Sequence, residues 1–385
     1  MPKHGVVIIG TGLAGYTTAK EFRKNDPETP LTLITDSDGA FYSKPMLSNA
    51  YGTNKLPTQL ATQNAEQMAD TLKAKVLTHR HVMEIDLNDS VVLTQSGDNI
   101  LFDRLVLAIG ASPIVPPLEG NALERIHQVN SLADYARFRG DLAEPRKVAI
   151  IGAGLIGCEF ANDLRRGGHE VSVFGPDALP LSNLLPAQAA SELKTELGGI
   201  GVDWQLGSAV KTVNLNDEQF ELILANGQSH QADVMLSAIG LRANLQLAKQ
   251  AGLSTARGIV TDRFLQTSSP NVYALGDCAE VEGLFLPFVL PIMSAARALG
   301  KTLAGEKTSV QYPAMPVVIK TPAYPLVVSS PPAGAEGNWQ IEETGTGLRC
   351  LLKNGLGQLV GFALTQDCVK ERQALVKELP PLLNT

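Results

Sequence analysis

Cysteine is scarce in this 385-residue chain. Cys158, Cys278, Cys350 and Cys368 lie far apart, and no two form a C-x-x-C. That argues against a thioredoxin-like dithiol. Nor do the cysteines and the 6 histidines fall into a metal-ligand spacing, so no metal site is expected. Positive charge is short as well. With 32 Lys and Arg against 39 Asp and Glu, the net charge is −7. General nucleic-acid binding wants a basic surface, so no nucleic-acid partner is expected. No apolar stretch reaches the ~18–20 residues of a membrane span. The longest, around residues 284–296, is interrupted by Pro287 and Pro291. Lys3 and His4 ahead of Val6–Ile9 imitate an export signal. That run leads straight into a glycine turn that cleavage would destroy, so it reads as a first strand. Free thiols suit a reducing cytosol, and a cytoplasmic location is expected.

What is present is a glycine fingerprint, twice. Gly10-Thr11-Gly12-Leu13-Ala14-Gly15 follows the apolar run Val6–Ile9, and Gly152-Ala153-Gly154-Leu155-Ile156-Gly157 follows Val148–Ile151. The first glycine of each allows a tight turn, the second lets backbone approach a pyrophosphate, and the third lets helix and strand pack closely. Phosphates then meet the free N–H groups of a helix N-terminus. Two copies predict two dinucleotides on one polypeptide, and electrons passing between them.

The first copy continues as a helix over about 14–23 and a strand Leu31–Ile34. Asp36, or Asp38 beside it, then stands where an acid should bind the adenosine ribose, about 20 residues beyond the last glycine. The second continues as a helix over 155–166 and a strand Val171–Phe174. Gly175 occupies the acid's place, and Asp177 is the substitute. Between Gly167 and Lys194 there is no Arg or Lys. A 2′-phosphate wants such a cation, so the nucleotide is expected to be NADH rather than NADPH. Three prolines in Ala111–Pro117 predict a stiff crossing strand. Leu105–Gly110 and Met235–Gly240 are near-copies that end in Ile-Gly. The predicted fold class is therefore α/β, with two Rossmann-like domains, one inserted in the other. Residues 1–112 and 237–309 form the first and 113–236 the second. From 310 to 385 the chain reads as a small α+β domain, with a strand near Gln358–Leu364 and a last helix from about Asp367.

Thr267–Asp277 ends a strand in Gly276-Asp277, which puts a carboxylate at the carboxyl edge of a sheet. There it can bind the ribityl hydroxyls of a flavin. With the paired fingerprints, this resembles the two-dinucleotide flavoprotein disulfide-reductase superfamily, which binds FAD in the first domain and NAD(P)H in the inserted one. Where members of that superfamily carry a redox cysteine, this chain has Phe41-Tyr42-Ser43-Lys44-Pro45. Electrons must then leave the flavin directly.

Tyr42–Ser48, Gly157–Leu164 and Lys320–Val328 look like segments of the bacterial rubredoxin reductases. The resemblance spans essentially the whole chain, with Lys44-Pro45 where the wider family often has Arg-Pro and Gly175 where a ribose glutamate is usual. It implies FAD and NADH as cofactors and rubredoxin as partner, often feeding alkane hydroxylation. Ferredoxin or flavorubredoxin reduction is the alternative, and a flavin-binding sensor or scaffold is the non-enzyme reading. The resemblance also implies site residues. Glu159 and Lys44 are the catalytic pair, mutually ion-paired beside the flavin. Gly10, Gly12, Ala14, Gly15, Asp36, Pro45, Val82, Ala108, Gly110, Gly276 and Asp277 join Lys44 in contacting cofactor in the first domain. Gly152, Gly154, Ile156, Gly157 and Gly240 join Glu159 in the second, and Lys320 comes from the tail. The helix after Pro291 is expected to aim its positive end at the flavin. A basic rim for an acidic carrier is expected from the Arg165, Arg166 and His169 region, with Lys320 part of it. Cys158 and Cys278 are expected to be buried packing residues.

Overall fold

The computed structural model describes residues 4–332, 334–345 and 347–383. Two parallel sheets organise it. In the first, Val6–Ile9 lies between Leu31–Ile34 and Arg104–Leu107, with Lys75–Leu77 and Val272–Ala274 at the edges. In the second, Lys147–Ile151 lies between Glu170–Gly175 and Val234–Ser237, with Val202–Leu206 outside. Strands buried on both faces read as near-continuous apolar runs, as Val6–Ile9 and Val148–Ile151 do.

The duplication extends to single hydrogen bonds. Gly10 N–H donates to Ile34 O and Gly152 N–H to Phe174 O, both at 2.8 Å. Ala108 N–H donates to Ile9 O and Ala238 N–H to Ile151 O, again at 2.8 Å. Each half also carries a three-stranded antiparallel sheet, Val82–Asp86 with Val91–Thr94 and Asn99–Leu101, or Val210–Asn216 with Gln219–Leu224 and Ser229–Ala232. The crossing segments meet as a ribbon in which Ala111–Pro113 pairs antiparallel with Leu241–Ala243.

The tail forms a five-stranded antiparallel sheet in the order Val317–Ile319, Leu326–Ser329, Leu359–Thr365, Gly347–Lys353, Asn338–Thr344. Its end is a 3-10 turn Gln366–Glu371 and a short helix Arg372–Val376. Its buried face shares one apolar core with the second half. Ile319, Tyr324, Leu326 and Ala363 pack in the cluster that holds Phe160, Leu164 and Leu193. Tyr324 also donates from its hydroxyl to Glu192 at 2.7 Å. The tail is thus seated on the helices of the second half, which brings Lys320 to the second glycine helix.

Candidate functional site

At each glycine turn, geometry explains the residue types. Gly10 has φ +112°, and a Cβ there would lie 2.2 Å from Ala108 O. Gly152 has φ +113°, with Ala238 O at 2.6 Å from its would-be Cβ. A Cβ on Gly15 or on Gly157 would come within 1.9 Å of the carbonyl oxygen of Gly10 or Gly152. Those glycines let helix cross strand. Around Gly12 and Gly154 there is open space instead, with nothing within 4 Å of a Cβ. Each is the N-cap of its helix, Leu13–Asn25 or Leu155–Arg166, and neither end has a side-chain cap. Two bare helix ends with room above them fit two pyrophosphates.

The first cradle holds a carboxylate in waiting. Gly276, at φ +81°, comes so close to the first helix that its Cβ would meet Ala14 Cβ at 2.8 Å. That contact sets Asp277 beside the fingerprint. Asp277 Oδ1 is buried and has no hydrogen-bond partner among the described residues. Burial raises its pKa, and the charge of Lys44 works against that rise. An orphaned buried oxygen beside an open glycine cradle is what a polyhydroxyl cofactor linker needs, so the residues present fit FAD. Asp36 is exposed just past the second strand, and Val82, Pro45, Gly110 and Gly276 are half-buried. The helix Val289–Leu303 starts two residues earlier than the Pro291 signal, and Pro291 and Ile292 are buried beside Gly276.

The expected Lys44–Glu159 pair does not form. Lys44 Nζ donates to Asn130 Oδ1 at 3.1 Å, and Asn130 in turn donates to Ala111 O at 2.9 Å. Burial lowers the Lys44 pKa, opposed by the charges of Asp277 and Asp134. Glu159, with 0% exposure, already has a partner on each oxygen. Its Oε2 accepts from Ser48 Oγ and pairs with the Lys320 ammonium, and its Oε1 accepts the Lys320 N–H at 2.9 Å. A buried charge must be paired, and here the tail supplies the partner.

Lys320 therefore points inward rather than lining a docking rim. The second rim candidate fares no better. His169 is 1% exposed, and Arg165 binds the carbonyls of Ile200 and His169. Of that cluster only Arg166 faces solvent. Cys158 and Cys278 are fully buried, which pushes their thiols up to about 12 and about 11. In the second cradle Ile156 is 41% exposed beside the open turn, and Gly240 keeps φ +113°. Asp177 is exposed and accepts from Ser182 Oγ at 2.7 Å. Ser48, Asn130, Asn162 and Asp163 escaped the sequence reading as site residues. Ser48, Asn162 and Asp163 stand inside the Tyr42–Ser48 and Gly157–Leu164 segments, and Asn130 left no signal.

Residues 4–301 match the family model described as pyridine nucleotide-disulphide oxidoreductase. The chain belongs to that family. Residues 309–379 match a second model, the rubredoxin binding C-terminal domain. The chain is 48% identical to the rubredoxin-NAD(+) reductase of Alcanivorax borkumensis, over 99% of this chain and 100% of that one. It is 45% identical to the protein of the same name from Acinetobacter baylyi, over 99% of each. Among solved structures, putidaredoxin reductase in its covalent putidaredoxin complex aligns with a TM-score of 0.89 and 23% identity, over 98% of this chain and 94% of that one. At that identity the likeness bears on the fold alone. Pyridine nucleotide-disulphide oxidoreductase architecture accounts for both cradles, but the dithiol of the family's name is missing: among the described residues all four cysteines are free and buried. None of the helices described is long and apolar enough to cross a membrane.

Proposed function

We propose that this protein moves electrons from NADH through FAD to rubredoxin. The reading rests on one combination: two complete glycine cradles carried on the same chain as a rubredoxin-binding tail. FAD, when bound, takes up an electron pair as hydride and can release the electrons one at a time. The chain's own residues bind and orient. We assign Gly10, Gly12, Ala14, Gly15 and Asp36 to the adenosine diphosphate half of FAD, and Asp277 to its ribityl hydroxyls. Lys44 and Pro45 then lie on the ring side, with Val82, Ala108, Gly110 and Gly276 completing the enclosure. Gly152, Gly154, Ile156, Gly157 and Gly240 hold NADH. Glu159, fixed by Ser48 and Lys320, orients the nicotinamide end. In this reading Lys320 serves the catalytic face, and rubredoxin docks on the rest of the tail.

The reading divides the chain as 1–112 with 237–309, 113–236, and 310–385. Four buried unpaired thiols fit a cytoplasmic protein. The test is direct. Anaerobic NADH bleaches the yellow protein, and rubredoxin restores the colour faster than ferredoxin does. No bleaching by NADH overturns the enzyme, and a higher kcat/KM for ferredoxin overturns the carrier.

A further inference from the structure

The second glycine helix carries three buried polar side chains, of which Glu159 alone belongs to the site above. Asn162 and Asp163 follow it at i+3 and i+4, so the three share one face. Each is at most 1% exposed. A helix packed on a sheet usually buries apolar residues there, and buried polar groups persist when they are paired. The partners come from two segments remote in sequence.

Asp163 accepts the N–H of Tyr51 at 2.8 Å and of Gly52 at 3.0 Å. One turn upstream in that segment, the Ser48 hydroxyl donates to Glu159. Asn162 accepts the N–H of Ala323 at 3.1 Å. Just upstream of Ala323, Lys320 meets Glu159 with both its N–H and its ammonium. Each segment is therefore gripped twice, once at Glu159 and again farther along the helix. The close approach is built in. A Cβ at Gly52 would stand 2.7 Å from Asp163 Oδ1, and one at Gly167 would stand 2.5 Å from the Tyr51 ring.

We propose that Asn162 and Asp163 are positioning residues that set the Glu159 carboxylate from its two sides, Asp163 by placing Ser48 and Asn162 by placing Lys320. The functional half of this inference rests on the reading of Glu159 as the group that orients NADH. Two measurements on the full-length holoprotein test it. Hydrogen exchange reads the placement itself. Asn162→Ala speeds exchange of the 320–324 amides and leaves 48–52 protected, and Asp163→Ser does the reverse. Stopped-flow bleaching by NADH reads the consequence. Each single variant slows it on the order of tenfold, about 1.4 kcal/mol. Asn162→Ala costs nothing further in a Lys320→Ala background, nor Asp163→Ser in a Ser48→Ala background, because a residue acting through another is non-additive with it. Asp163→Asn keeps one acceptor oxygen, falls between, and carries the measurement if Asp163→Ser loses FAD. Additive losses, or exchange that rises in both segments together, overturn the proposal. If Glu159→Gln itself bleaches at the wild-type rate, the reading of Glu159 fails, and the exchange pattern alone decides whether the two residues position their segments.

Discussion

The two glycine turns are near-copies in backbone and opposites in their treatment of an acid. The first half leaves Asp277 Oδ1 buried and unpaired. In the second, every oxygen of Glu159 is occupied, by Ser48 from the first half and by Lys320 from the tail. An unmade buried hydrogen bond costs roughly 1–3 kcal/mol. The first half offers that oxygen to a ligand. The second half has met the cost from within the protein, so its acid is fixed before anything binds. In the proposed function, one fold unit serves a resident cofactor and a visiting nucleotide, and the satisfaction of one carboxylate separates the two.

The largest effects break the cradles themselves. In Gly15→Ala and Gly157→Ala, the new Cβ would stand 1.9 Å from a carbonyl oxygen that belongs to the turn. Gly15→Ala is expected to give protein without flavin absorbance. Gly157→Ala is expected to stay yellow and to bleach with NADH at least ~100-fold more slowly, a loss of about 2.7 kcal/mol. Absorbance after gel filtration and stopped-flow bleaching separate the cases. A colourless Gly157→Ala protein would mean that the halves do not divide the labour.

Next come the acids. Asp277→Leu removes an unsatisfied carboxylate and should stabilise the apoprotein by about 1–3 kcal/mol while weakening FAD binding. Glu159→Leu strands a buried hydroxyl and an ammonium, and should lower the Tm. Melting curves of the flavin-stripped proteins decide. Shifts of the same sign in both would mean that the two carboxylates are satisfied alike.

Much of this was legible in the residues. Val6–Gly15 and Val148–Gly157 specify their strands, turns and helices locally, because Gly15 and Gly157 each answer a steric demand inside their own turn. The helix bounds Leu155–Arg166 follow from the same logic. Ion pairing was not legible. Nothing in the order of residues says that the tail sits on the second half, so nothing says that Lys320 reaches Glu159 before Lys44 can. That outcome depends on the apolar core shared by Tyr324, Leu326 and Phe160, a long-range fact. Asp277 lay between these extremes. Its place at a strand end was readable, but its orphaned oxygen required the contact of Gly276 with Ala14.

A smaller effect comes from pH. Burial pushes the Asp163 carboxyl up from its ordinary 3.8 to about 6, against the pull of the Tyr51 and Gly52 N–H groups and of Arg166 and Arg139. Between those two values the folded protein binds more protons than the unfolded chain. Its contribution to stability is therefore greatest below about 4, declines as the pH rises toward 6, and is level above. Asp163→Asn should flatten that part of the Tm–pH curve. An unchanged slope would mean that a group other than Asp163 titrates there.

The smallest effect concerns the ribose acids. In the first half Asp36 stands free past its strand, while in the second the equivalent place is the buried Gly175. Asp177, the nearest acid, already accepts from Ser182. A carboxylate that keeps one oxygen for a hydroxyl two residues off the usual position can give a ribose one good hydrogen bond, worth about 1 kcal/mol. Asp177→Ala should then raise the KM for NADH about fivefold and leave kcat and Tm unchanged, since the side chain is exposed and touches no core. Asp36→Ala should weaken FAD binding by more, because nothing among the described residues competes for its oxygens. Equal losses would mean that the displaced acid serves as well as the one in place, and that Gly175 costs the second half nothing in recognition.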